Sequence, residues 1–109
     1  MVLRSIKFKV IGKTWTLRCL DEKQYNKKEI RANSVAITYV HKRRIDLSPL
    51  GTDKESIIHE LVHAYLSEMC IYSSELDADA MEEFFAELMA KRGQEILDLA
   101  SDLAEKVKL

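Results

Sequence analysis

Five consecutive residues, His59-Glu60-Leu61-Val62-His63, constrain this 109-residue chain more than any other feature, because their spacing has chemical meaning only on a helix. At 3.6 residues per turn, positions i and i+4 lie about 40° apart around the axis, so both imidazoles can reach one metal ion. Glu60 sits about 100° round from His59, too far to share the ion but suited to hold a water beside it as general base. A chance match to two His and one Glu at these offsets is roughly a 0.3% event in a chain this long, so the pattern carries information.

The surroundings support the helix. Thr52-Asp53-Lys54-Glu55 has the form of a capping box, with Thr52 as the expected cap. From there Ile58, Leu61, Val62, Tyr65, Leu66 and Met69 recur at intervals of three and four, which predicts one apolar stripe with the two histidines on its flank. Such a helix seats on a core and turns its imidazoles to a cleft.

A catalytic zinc takes three protein ligands and leaves a place for water. The remaining histidine, His41, falls on a hairpin turn, so the third ligand is expected from the acidic run that follows Ser73 and Ser74. Either serine can cap a second helix, with Glu75 and Asp77 at its positive end. A reversal near residues 70–72 would make the two helices antiparallel and bring positions 81–84 level with His59 and His63. With Phe85 at the centre of an apolar face that includes Ala78, Met81, Leu88 and Met89, Glu82 lies about 60° off that centre and Glu83 about 160°. Glu82 is therefore the expected ligand, Glu83 and Asp79 are the reserves, and Glu75 stands too near the turn. Cys70, another potential donor, is also placed beyond reach.

The segment from Ile57 to Glu68, with Glu82-Glu83-Phe84-Phe85-Ala86 about twenty residues later, resembles the small zinc metallopeptidases of phages and prophages, distant relatives of the ImmA/IrrE group. In that pattern a strand hairpin leads into the motif helix, and a second helix brings a Glu with apolar residues at +3 and +6. Glu82, followed by Phe85 and Leu88, fits that spacing better than Glu83, followed by Ala86 and Met89. The resemblance spans roughly Ala32 to Met89 and implies a site of two His and one Glu, with Glu60 as base. It departs from the ImmA/IrrE pattern in that Glu75-Leu76-Asp77-Ala78-Asp79, which imitates that group's third-ligand segment, follows His63 too closely. Repressor cleavage is accordingly not carried over.

The rest of the sequence predicts an α+β fold: a small antiparallel sheet of two hairpins, the motif helix, an antiparallel second helix and a C-terminal amphipathic helix. Residues 1–109 read as one domain, mostly β over 1–50 and mostly α over 51–109. Ile6, Phe8 and Val10 alternate with lysines, Gly12-Lys13 marks a turn, and Trp15 and Leu17 alternate with polar residues. Residues 20–34 are polar and read as loop with at most a short helical turn. Val35, Ile37 and Tyr39, then Ile45 and Leu47, frame a second hairpin around His41-Lys42-Arg43-Arg44. Ile96, Leu99, Ala100, Leu103 and Val107 continue the pattern as an amphipathic helix, with Gly93 as a candidate kink or break.

Apolar residues make up 47% of the chain, enough for one modest core. No run of 18 uncharged apolar residues occurs and the N-terminus lacks a signal-like apolar stretch, so a cytoplasmic protein is expected, in the bacterial host if phage-encoded. Cys19 and Cys70 form no metal or disulfide pattern. Residues 1–50 hold 12 Lys/Arg against 4 Asp/Glu, and residues 51–109 hold 5 against 14. Solvated strand lysines and mutual attraction of the halves account for this, and nucleic acid is not the expected partner because stacking aromatics do not interleave with the basic residues.

These features predict a zinc-dependent metallopeptidase acting on a protein or peptide. Zn2+ would be held by His59, His63 and Glu82, and Glu60 would move the proton. None of Tyr39, His41, Tyr65 and Tyr72 is singled out as an oxyanion donor. The rival is a non-catalytic zinc protein that works by binding a partner; a third reading is a metal-free helical module built on the Ile96–Val107 stripe.

Overall fold

A computed structural model of the chain describes residues 2–26, 34–69 and 77–108. Four strands, β1 (Val2–Val10), β2 (Lys13–Leu20), β3 (Ala36–Tyr39) and β4 (Arg44–Leu47), form one sheet in the order β1-β2-β4-β3. The helices are α1 (Glu22–Asn26), α2 (Lys54–Glu68) and α3 (Ala78–Lys106). The fold is α+β, with the sheet preceding the two long helices. Among the described residues no helix is long and apolar enough to cross a membrane.

The β1–β2 hairpin closes through Ile11 and Gly12, both at positive φ (47° and 78°), one residue earlier than the Gly12-Lys13 turn read from sequence. This mirror-image turn matches the twist of the flanking strands; glycine adopts it freely, whereas Ile11 does so at a steric cost. The second hairpin, β3–β4, is also antiparallel, with Thr38 opposite Ile45. The expectation of a wholly antiparallel sheet is corrected, because β4 runs parallel to β2, from Thr16 opposite Arg44 to Cys19 opposite Leu47. The chain lays down β3 first at the far edge, so β4 returns beside β2 in the same direction.

One face of the sheet carries the core. Phe8, Val10, Trp15, Leu17, Ile45 and Leu47 are buried with Ile57, Leu61, Ala64 and Tyr65 of α2 and Ile96, Ala100 and Leu103 of α3. Each large apolar side chain removed from water contributes about 1.5–3 kcal/mol before chain entropy is counted. Trp15 is fully buried and donates its indole N–H to Glu68 Oε1 at 3.1 Å, which satisfies the one polar atom it takes inside.

Asp53, rather than Thr52, caps α2. Its carboxylate accepts from the Ser56 amide at 3.1 Å and from the Ser56 hydroxyl at 2.7 Å. The buried stripe is centred on Ile57, Glu60, Leu61, Ala64 and Tyr65, while Ile58, Val62 and Leu66 lie at its margin and Met69 is exposed. It is rotated from the expected stripe because α2 is covered by both the sheet and α3.

The largest difference lies in α3. It is one helix of 29 residues that passes through Gly93 without a break, so the second and third helices expected from sequence are continuous. A mid-helix glycine costs about 1 kcal/mol, less than the packing of Leu88, Ile96, Ala100 and Leu103 on either side of it returns. Asp77 caps this helix through the Ala80 amide at 2.7 Å, whereas the expected caps Ser73 and Ser74 lie outside the described residues.

α2 and α3 are antiparallel. Tyr65 meets Glu95 through a 2.5 Å hydrogen bond, and the start of α2 shares a cavity with Ser101, Ala104 and Glu105 near the end of α3. In this register Arg92 is level with Glu68, the last residue of α2, and the part of α3 ahead of it runs on past that end. Phe84 and Phe85 are exposed there, so Phe85 does not centre a buried face as the wheel suggested.

Candidate metal and peptide site

Three residues of the motif meet at one cleft between α2 and the edge strand β3. This cleft, of about 630 Å³, is lined by His59, Glu60 and His63 together with Ala36, Thr38 and Glu55 among others. The helix arranges them as the spacing requires. The two imidazoles stand edge to face with centroids 5.0 Å apart, and the His59 side chain is 70% exposed. Leu61 and Ala64, between and after them, point into the core. One short stretch thus anchors the helix and offers two nitrogen donors to solvent.

Glu60 is buried and turned towards the sheet. Thr38 on β3 donates its hydroxyl to Glu60 Oε1 at 2.8 Å. The other carboxylate oxygen, Oε2, lies 3.9 Å from His59 Nε2. A buried carboxylate needs such a partner, since leaving it unsatisfied costs about 1–3 kcal/mol or more. The arrangement presents one held oxygen and one that faces the histidines and the cleft, which suits a group that accepts a proton from a water there.

Thr38 was not singled out from sequence. The apolar residues Val35, Ile37 and Tyr39 marked the strand, but pairing of Thr38 with Ile45 and of Ala36 with Leu47 turns the intervening positions inward. A strand's side chains alternate between faces, so a one-residue change of register exchanges them all. A threonine at an inward position just ahead of the motif helix was the available signal.

Glu82 is not brought to the histidines. Thirteen residues separate it from Glu95, about 20 Å of helix at 1.5 Å per residue, and that run leads towards the C-terminal end of α2. His59 and His63 lie in the opposite direction from Tyr65. The expectation that positions 81–84 come level with them is corrected: it assumed a tight, symmetric reversal near residues 70–72, whereas α3 begins only at Ala78 and extends beyond α2. Glu82 and Glu83 are exposed, as is Asp79 in the first turn. Glu75 and Cys70 fall outside the described residues. Among the described residues no three His, Cys, Asp or Glu stand close enough to hold one ion. The donor set therefore fits a catalytic zinc in part, with two imidazoles and a neighbouring carboxylate in place.

The other residues considered from sequence serve elsewhere. The Tyr65 hydroxyl is bound to Glu95, and burial together with that carboxylate pushes its pKa well above the usual tyrosine range. Tyr39 lies under Lys42 and Arg44, whose charged groups are 5.5 and 4.9 Å from its ring centre. His41 is exposed in the turn joining β3 to β4, and Tyr72 lies outside the described residues. Cys19 is a buried free thiol.

No protein-family model, curated protein or solved structure matches the chain.

Proposed function

We propose that this protein is a zinc-dependent metallopeptidase. The observation that carries the reading is the convergence on one cleft of two exposed imidazoles, spaced to share an ion, and the buried carboxylate of Glu60 held by Thr38. His59 and His63 are the metal ligands. Glu82, the third donor that the resemblance implies, lies past the C-terminal end of α2 in this register and is not proposed as a ligand. When bound, zinc supplies the Lewis acidity that makes a water nucleophilic near neutral pH.

The chain's own residues divide the remaining work. Glu60 takes the proton of the attacking water and returns it to the leaving amine. Thr38 holds that carboxylate towards the cleft. β3 lies at the end of the strand order among the described residues, with Ala36, Ile37 and Thr38 lining the cleft, and an extended peptide added along its outer edge would bring a carbonyl to the histidines. A mixed peptide substrate tests this directly: hydrolysis should require zinc, stop with a chelator, and be lost in Glu60→Gln with metal content unchanged. Equal hydrolysis by Glu60→Gln would remove the base from the reading.

A second reading has one observation in its favour. No third donor joins the two histidines among the described residues, which also suits a protein that binds a partner and catalyses nothing. That function would survive Glu60→Gln.

A further inference from the structure

The sheet has a second face, turned away from α2 and α3. Phe8, Trp15, Leu17 and Ile45 point to the helices, so Lys7 and Lys9 of β1, Arg18 of β2 and Arg44 of β4 point outward. The register gathers them. Lys7 stands opposite Thr16, Thr16 opposite Arg44, and Arg44 opposite Tyr39, over which Lys42 also lies. It is the parallel pairing of β2 with β4 that joins the basic residues of the two hairpins into one surface.

Asp46 is the only carboxylate in the four strands, and it is already neutralised. It is fully buried beneath Arg18, which binds both of its oxygens at 2.9 Å, and Arg44, whose Nε lies 3.2 Å away. The ammonium groups of Lys7 and Lys9 rest on the hydroxyls of Thr16 and Thr14, at 2.5 and 2.6 Å. Each keeps two further N–H donors for another acceptor. Five cations therefore share one face with one paired acid, a net of four positive charges.

We infer that this open sheet face binds the sugar-phosphate backbone of a nucleic acid without reading bases. A protein partner would need an apolar centre, since interface cores are depleted of lysine and charge. Around the cations, the described residues of β2, β4 and Ser5–Lys9 of β1 include no exposed large apolar side chain; Ile37 of β3 on this face is half-buried, and the exposed Val2 and Leu3 lie at the far end of β1. Among the described residues the aromatic ring on this face, Tyr39, is covered by Lys42 and Arg44 and offers bases no stacking platform, so the contacts offered are to phosphates. Absence of stacking aromatics was the ground for discounting nucleic acid from sequence, and backbone binding does not need them. The acidic residues of α3 lie on the other side of the sheet, which leaves the outer face free of their repulsion at short range.

The test is fluorescence anisotropy with a labelled mixed-sequence oligonucleotide, single-stranded and as duplex, starting at low salt. Binding should weaken with salt along a log–log slope of about −2.8 for the single strand to about −3.6 for the duplex, the values for four phosphate contacts. Lys7→Glu with Lys9→Glu should weaken it more than tenfold. Both residues are exposed and outside the cleft, so peptidase activity, if present, is unaffected. Lys54→Glu with Lys91→Glu changes net charge equally elsewhere and should leave binding nearly unchanged. If the first pair loses structure by circular dichroism, Lys7→Gln with Lys9→Gln carries the same expectation at smaller size. No binding of either oligonucleotide form, equal loss in both charge pairs, or displacement by polyglutamate as effective as by unlabelled oligonucleotide would overturn the inference, the last assigning the face to an acidic protein.

Discussion

Thr38 on the edge strand donates a 2.8 Å hydrogen bond to Oε1 of Glu60, so the motif's carboxylate is fixed to the sheet rather than to its own helix. The strand that would bind an extended peptide and the group that would act on it are thereby one mechanical unit. Thr38→Val keeps the shape and removes the donor. It should cost about 1–3 kcal/mol in urea unfolding, because a buried carboxylate is left without its partner. It should also lower peptide hydrolysis without changing zinc content. A variant as stable and as active as wild type would mean the contact is incidental.

The motif itself separates stability from chemistry. Leu61 is fully buried, so Leu61→Ala should lose about 2–5 kcal/mol. His59→Ala should stay within about 0.5 kcal/mol in the absence of metal, because its side chain is 70% exposed. Thermal melts of the two variants beside wild type check both. A large loss in His59→Ala without metal would show that the imidazole supports the fold itself.

Two glycines should respond in opposite senses. A Cβ on Gly51 would meet the Val35 carbonyl oxygen at 2.3 Å, and that oxygen accepts the Ser48 amide. Gly51→Ala is therefore expected to destabilise by about 1–3 kcal/mol. On Gly93 the nearest neighbour is the mobile end of Met89 at 3.3 Å, so Gly93→Ala should be stabilising, by about 0.5–1 kcal/mol through helix propensity. Loss of stability there would show that the Met89 side chain cannot yield the few tenths of an ångström the new Cβ requires.

Much of this architecture was legible in the sequence, and the departures share a cause. Alternation from Ile6 to Leu17 marked the first hairpin, and the apolar spacing from Ile96 to Val107 marked the end of α3, because each depends on neighbours close in sequence. The parallel pairing of β2 with β4 and the inward turn of Thr38 depend on which strand lies beside which, and local periodicity does not encode that. The site divided in the same way. His59, Glu60 and His63 follow from one helix, whereas the placement of Glu82 required the register of two helices, and Tyr65 with Glu95 sets that register well away from the expected one.

Acid should release one long-range tie. The Glu68 carboxylate accepts from Arg43 at 2.6 Å and from Trp15 at 3.1 Å, and the Arg43 guanidinium holds its pKa below the usual glutamate range. A carboxylate with a lowered folded pKa adds stability above its unfolded pKa of about 4.3 and loses it as pH falls through the folded value. Glu68→Gln should thus be less stable than wild type at pH 7, by about 1 kcal/mol given the exposure of Arg43, and the difference should close below about pH 4. Urea midpoints across pH 3–7 measure it; a constant gap would mean that charge plays no part.

Metal content of the purified protein, measured by elemental mass spectrometry after dialysis against zinc and then buffer, tests the central claim most directly. The proposed site predicts about one zinc per chain in wild type and in Glu60→Gln, and loss of it in His59→Ala and His63→Ala. Glu82→Ala should retain it, because α3 carries Glu82 past the end of α2. No retained zinc in the wild type, or zinc that survives replacement of both histidines, would contradict a metallopeptidase centred on His59, Glu60 and His63.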